Sequence, residues 1–213
     1  MADWVTISSL ATAGGTMVLA AATFSSVRSA NRSARIAEQS LLVGLRPVLV
    51  PSRPEDPPER VTFYDRGFVV NGGTAHVEEA EGRLYMAIPL RNVGSGLAVL
   101  HGWYVAPRRR VISDDHPDPS EFRLTQRDLY VAPGDTGYWQ GAIRDDDDPL
   151  RPGLAEAVTE RHPIAVDVLY GDHEGGQRTI SRFAALPGED EGLEWDCSVL
   201  RHWRLDGVDP RQG

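Results

Sequence analysis

The sequence predicts a mainly β fold, an antiparallel β-sandwich preceded by one long amino-terminal helix. Three observations carry that expectation. Residues 4–27 hold no charged side chain, with Asp3 on one side and Arg28 on the other. Residues 28–45 continue with good helix formers and no proline until Gly44 and Pro47, where proline cannot extend a helix and pushes its predecessor towards extended backbone. Beyond Pro47, short apolar runs alternate with turn residues, the pattern of many short strands.

The uncharged run comes first. At ~1.5 Å per residue it is ~36 Å long as a helix, enough to cross a hydrocarbon core of ~30 Å with some tilt. It lacks the positive front of a signal peptide, since Asp3 is its only preceding charged side chain. A membrane-spanning helix over 4–27 is expected; a buried helix is the alternative, because the run contains four Thr, four Ser and two Gly. Ser8, Thr12, Gly15, Thr16, Leu19, Thr23 and Ser26 fall at steps of three and four on one face, and Ala11 with Gly15 forms a small-xxx-small pair. In lipid such a stripe lets two helices approach closely. The competing possibility is that the hydroxyls bond back to their own helix. Val27, Ala30, Ala34, Ala37 and Leu41 extend the stripe as a seam of about two heptads. The expected helix–helix interface is therefore Thr12, Gly15, Thr16, Ser26, Ala30 and Ala34, making the protein a homo-oligomer. Arg28, Arg32, Arg35 and Arg46 follow the run. Cations close to the membrane favour the cytoplasmic side, so the amino terminus is expected outside and the carboxy-terminal domain in the cytoplasm.

Three segments result: helix and juxtamembrane extension over 1–46, a sandwich over 47–207 and a flexible tail over 208–213. Strands are expected at 48–50, 61–64, 68–70, 76–78, 83–91, 98–106, 129–131, 138–143, 164–170, 178–184 and 195–203. Period-two alternation is plain in Leu84-Tyr85-Met86-Ala87-Ile88 and over 164–170. One short helix is expected at 153–160, with Pro152 near its start.

Composition excludes several chemistries. The net charge is −9. Four arginines against Asp3 and Glu38 leave +2 through Arg46, so the remainder carries −11. An acidic domain opposes nucleic-acid binding, which needs a basic face. There is no lysine, which excludes Schiff-base chemistry and a phosphate-loop lysine. Cys197 is the single cysteine, so no disulfide and no cysteine-based zinc site forms within the chain.

Four pieces are familiar together: Arg46-Pro47-Val48-Leu49-Val50 after a membrane helix, Leu90-Arg91-Asn92-Val93-Gly94-Ser95-Gly96-Leu97-Ala98, Ala132-Pro133-Gly134, and Val168-Leu169-Tyr170-Gly171-Asp172. The chain resembles a broad group of uncharacterised bacterial membrane-anchored proteins, of actinobacterial type. The resemblance implies an Ig-like sandwich with an Asn-x-Gly-x-Gly turn, and implies no activity.

The residues that could carry chemistry are scattered. Asn92-Val93-Gly94-Ser95-Gly96 precedes a strand rather than a helix, so a tight turn with glycines at positive φ is expected instead of a phosphate loop. Asp145, Asp146, Asp147 and Asp148 are the densest acidic run, but lack the interleaved glycine and carbonyls that calcium favours. His116, beside Asp114 and Asp115, and His173, beside Glu174, are the other weak metal candidates. His101 and His202 sit near Trp103 and Trp203, with no nucleophile in a recognisable setting. Cys197 is expected to act as a small hydrophobe. Trp103, Trp139, Trp195 and Trp203 are expected in the core; an exposed one would be a protein-binding anchor. Arg108, Arg109 and Arg110 are expected as a solvated loop, or as a basic point for headgroups or an acidic partner.

The function expected is a membrane-anchored protein-binding or scaffold module with no catalytic residue and no cofactor. Its partners would be the bilayer, a second copy and an unknown protein, and not nucleic acid. The alternative is a metal-assisted hydrolase using the acidic loops and histidines.

Overall fold

The computed structural model describes residues 3–107, 115–188 and 194–207. Arg108, Arg109, Arg110, Asp114 and the expected tail at 208–213 lie outside the described residues. The chain divides into two compact units, Met1–Gly44 and Leu45–Gly213.

The first unit is a single helix, α1 (Trp4–Gly44), of 41 residues. Among the described residues no helix is long and apolar enough to cross a membrane. Ten Ser, Thr and Gly within 4–27 lower the hydropathy of its uncharged half. Several hydroxyls are satisfied locally: Thr12 Oγ1 donates to the Ser8 carbonyl at 2.9 Å, Thr16 to Thr12 at 2.8 Å and Thr23 to Leu19 at 2.8 Å. Gly15 is open, with nothing within 4 Å of the position a Cβ would take. Leu10, Met17, Val18, Leu19 and Phe24 are 69–78% exposed.

The second unit is mainly β. Its described strands are β1 (Leu49–Pro51), β2 (Glu59–Thr62), β3 (Gly67–Val70), β4 (Thr74–Ala80), β5 (Arg83–Asn92), β6 (Ala98–Pro107), β7 (Arg123–Val131), β8 (Thr136–Ile143), β9 (Ile164–Gly171), β10 (Thr179–Pro187) and β11 (Glu194–Arg204). A short helix, α2 (Arg151–Thr159), precedes β9. Each expected strand overlaps one of these. The main departure is β7, expected over 129–131 and found to begin six residues earlier. Nine strands form one antiparallel sheet in the order β1-β5-β4-β11-β10-β9-β6-β7, with β8 also paired to β5. β2 and β3 pair separately as a hairpin.

The sheet folds over on itself. Trp103 of β6 and Trp139 of β8 are separated by five strands in the sheet order, yet their rings meet edge-on at 5.7 Å. Between the layers lie Leu84, Met86, Ile88 and Leu90 of β5, Ile164, Val166, Val168 and Tyr170 of β9, and Phe183 and Ala185 of β10. The other face of β5 is also covered: Tyr85 and Ala87 pack against Val61, Phe63 and Val70 of the β2–β3 region. All four tryptophans of this unit are buried. A third cluster joins Phe122, Ile180 and Trp203. Beside it the buried Arg182 reaches both carboxylate oxygens of Asp167, at 2.7 and 2.8 Å, and stacks over Trp203 at 4.8 Å.

The short motifs have structural explanations. Asn92 is fully buried and uses its whole amide. Its Oδ1 accepts from Val48 N and Gly94 N, and its Nδ2 donates to the Gly96 and Val131 carbonyls. Gly94 and Gly96 are not at positive φ, contrary to expectation; the described glycines that are include Gly73, Gly82, Gly134 and Gly175. What Gly94 and Gly96 supply is room. A Cβ on Gly96 would lie 1.8 Å from the Leu45 carbonyl oxygen, and one on Gly94 2.4 Å from that of Arg46. The incoming chain crosses directly over the turn. Tyr170 accepts from Leu49 N at 3.1 Å, and Asp172 Oδ1 caps its own hairpin through Glu174 N and Gly176 N.

Candidate functional site

The β7–β8 hairpin does not close as a ladder. Its turn holds Gly134 at φ 81°, and the adjoining backbone is fastened to Asn92: Asn92 N donates to the Asp135 carbonyl at 3.1 Å and Gly134 N to the Asn92 carbonyl at 2.9 Å. Away from the turn the strands separate. β7 pairs with β6 and β8 with β5, and among the described residues no ladder joins β7 to β8.

The register shows which groups the open edge of β8 presents. Ser52 N donates to the Pro89 carbonyl, so odd-numbered residues of β5 face β1. Even-numbered residues of β5 therefore face β8 and pair with Gly137, Trp139, Gly141 and Ile143. Tyr138, Gln140 and Ala142 are left to direct their N–H and C=O groups to the unpaired side. Opposite, β7 bulges. Leu100 of β6 sits across from Leu129, but Gly102 is already across from Leu124, so residues 125–128 arch outward over His101. Thr125 Oγ1 fastens the start of the arch to the Leu100 carbonyl at 3.1 Å.

Between bulge and edge lies a groove of about 450 Å³, inside the ~300–1,000 Å³ usual for ligand sites. Trp103, Leu129 and Gly141 contribute apolar surface, and Gly141 must lack a side chain, since a Cβ there would stand 2.7 Å from Trp139. Tyr64 and Leu124 line it too and are highly exposed, Leu124 at 79%. Among the described residues the lining contains three arginines, Arg123, Arg127 and Arg144, and no carboxylate.

The arginines differ in their partners. Arg123 forms a two-pronged pair with Asp148, at 2.5 and 2.7 Å, and stacks over Trp103 at 5.4 Å. That hydrogen bond holds the Asp148 carboxyl below its usual range and raises the Arg123 guanidinium. Arg144 lies 3.4 Å from Asp65 and 5.8 Å from the Phe63 ring. The Tyr85 hydroxyl, 2.5 Å away, is the main reason the Asp65 carboxyl falls to about 2, with Arg144 adding to it. Arg127 has only neutral acceptors among the described residues. Its Nη2 donates to the Thr62 carbonyl at 2.8 Å, to Gln140 Oε1 at 2.8 Å and to the Tyr138 hydroxyl at 3.4 Å. Nη1 and Nε make no hydrogen bond with described residues.

The weak metal candidates disperse. Asp148 is taken by Arg123; Asp146 pairs with Arg151 at 2.9 Å; Asp145 accepts from Asp147 N at 3.0 Å; Asp147 is exposed. His116 packs against Trp203 at 5.7 Å, and His173 meets Glu174 at 3.4 Å on an open hairpin. Among the described residues no three His, Cys, Asp or Glu side chains gather where a metal ion could sit. Burial pushes the Cys197 thiol up to about 12, leaving it protonated and unreactive at neutral pH. His202 Nδ1 lies 2.6 Å from Ser181 Oγ, but Ser181 is fully buried and shared with Tyr170, closed to any substrate.

Of the groove residues only Trp103 stands out in the sequence by residue type, and Asp148, the partner of Arg123, lies outside the lining. A usable signal was present: arginines at 123, 127 and 144 among the uncharged polar residues Thr125, Gln126 and Gln140, in an otherwise acidic domain. No family model, curated protein or solved structure matches the chain.

Proposed function

We propose that the protein is a single-pass, membrane-anchored binding module, whose β domain holds a protein partner in the groove between β7 and β8. The observation that supports this most is a cavity of about 450 Å³ at strand edges that no described ladder closes, lined among the described residues by three arginines and no carboxylate. Its exposed Tyr64 and Leu124 are the kind of side chain a partner covers. The domain is of the Ig-like sandwich kind that its turn motifs resemble. Helix α1 is the anchor: five large apolar side chains about 70% exposed, on a stretch with no charge between Trp4 and Val27, need lipid or a second helix to cover them. Back-bonded threonines lower the cost of placing their hydroxyls in lipid. The arginines after Val27 orient the β domain to the cytoplasm.

The test of the binding site is a photoreactive residue at Gln126 in living cells, with one at Glu174 as control. A discrete heavier adduct from Gln126 and none from Glu174 is expected. Equal adducts, or none at Gln126, reject the groove. Orientation is tested separately by placing a cysteine at Asp146 with Cys197 changed to Ser. An impermeant maleimide should fail to label it in cells with permeabilised outer layers; labelling puts the domain outside.

A further inference from the structure

We infer that the β7–β8 groove takes an extended acidic segment of a partner protein, which adds as a strand to the free edge of β8 and sets a carboxylate on Arg127. This deepens the proposal above and rests on the groove being the binding site. The backbone supplies the first half of the argument. Tyr138, Gln140 and Ala142 present N–H and C=O groups that no ladder among the described residues pairs, and an extended chain satisfies such groups by strand addition. At ~3.4 Å per residue the edge from Tyr138 to Ala142 offers ~17 Å, a length for about five residues. Pairing alone carries no specificity; that comes from the side chains along the edge.

Charge supplies the second half. Residues 47–213 are strongly acidic as a whole, yet among the described residues the groove lining holds three arginines and no Asp or Glu. Arg123 and Arg144 already face Asp148 and Asp65. Arg127 faces a carbonyl, an amide and a phenol through Nη2, while its Nη1 and Nε make no hydrogen bond with described residues and each keep a donor for one carboxylate oxygen. A basic segment would meet the like charge of Arg127, which no described carboxylate offsets. An acidic one gains a charge-assisted pair while its backbone closes the sheet. Tyr64 and Leu124 then cover the apolar side chains that alternate with the acid.

The test uses the full-length chain in detergent micelles and a displayed library of random peptides about eight residues long, a length that brackets the groove. Selected peptides should carry Asp or Glu at one position within a β-branched or aromatic alternation. A photoreactive version should cross-link to residues 125–127 or 138–142. Changing the selected acid to its amide, or Arg127→Gln in the protein, should weaken binding about tenfold or more, as loss of a charged hydrogen bond does. N-methylation of alternate peptide amides should abolish binding without touching any side chain. Groove-bound peptides with no acidic preference, unaffected by Arg127→Gln, overturn the acidic assignment and leave the binding site standing. Equal competition by free glutamate or inorganic phosphate overturns strand addition in favour of a small anion. No cross-link to the groove overturns both the inference and the site, and makes the arginines a guard against edge-to-edge pairing.

Discussion

The two ends of the β7–β8 hairpin carry the same kind of backbone and meet opposite fates. At the turn, Asn92 reaches in from β5 and satisfies four groups with one amide, and no opening remains. Towards the other end of β7, Arg127 occupies the corresponding gap, bonds through one nitrogen, and leaves a groove. A buried amide that matches its surroundings bond for bond seals a sheet. An exposed guanidinium with donors to spare keeps one open. Arg182 sharpens the contrast: it is the same residue type as Arg127, but fully buried and matched to Asp167.

The largest expected effect tests that contrast between arginines. Arg182→Ala leaves the Asp167 carboxylate buried beside an empty site, and should cost about 3–5 kcal/mol in chemical denaturation. Arg182→Met with Asp167→Leu removes both charges and should recover most of that loss. If the double variant is as unstable as the single, the pair does more than neutralise itself.

Next in size is the seal. Asn92→Ala strands Val48 N, Gly94 N and the Gly96 and Val131 carbonyls in the interior, and about 2–4 kcal/mol should be lost, since unsatisfied buried groups cost ~1–3 kcal/mol each and do not add fully. Hydrogen exchange should quicken first at Leu49, Val50 and the turn around Gly134. An unchanged midpoint would mean that water takes over the bonds and that the turn end is no better sealed than the groove.

The seal was legible in the sequence and the groove was not. Asn92-Val93-Gly94-Ser95-Gly96 announces a turn by residue type alone, although the glycines turned out to serve by close approach to Leu45 and Arg46 rather than by positive φ. That distinction depends on a chain segment almost fifty residues away, which local sequence does not encode. The strands of the core were legible because alternation is local. β7 was half hidden because residues 123–128 are polar apart from the exposed Leu124, and 125–128 bulge, so the period-two signal has nothing to bury. Groove residues come from the β2–β3 connection, β6, β7 and β8, and only the folding-over of the sheet brings them together.

The groove's outer wall is clasped by Asp65, which holds Arg83, Tyr85 and Arg144. Its carboxyl falls to about 2 in the folded chain, chiefly through the Tyr85 hydroxyl, against ~3.9 for an unfolded aspartate. A lowered folded value stabilises above the unfolded value and is lost as pH falls through the folded one. The clasp should therefore be intact above about pH 4 and fail towards pH 2. Tyr85→Phe should move the Asp65 titration, followed by carboxyl-carbon NMR, up towards the ordinary value. No movement would assign the shift to Arg83 and Arg144 instead. Smaller still is the helix: Gly15→Ile or Ala30→Ile should weaken self-association in micelles by ~0.6–2 kcal/mol, as single small-residue contacts do. Association equal to wild type would remove the stripe as an interface.

The smallest expected effect on stability distinguishes a site from a seal. Arg127 is exposed, and its bonds to Thr62, Tyr138 and Gln140 connect groups that water reaches. Arg127→Gln should therefore change the unfolding free energy by no more than ~0.5 kcal/mol, the range of surface substitutions. Had the arginine been kept to hold β7 against β8, its loss would act like loss of Asn92 and cost several times that. The measurement is a denaturation curve for Arg127→Gln beside that for Asn92→Ala under one buffer. A near-neutral Arg127→Gln leaves the guanidinium without a folding role and directs its open nitrogens to a ligand. A loss approaching that of Asn92→Ala would make Arg127 a strut and the groove a by-product of the bulge.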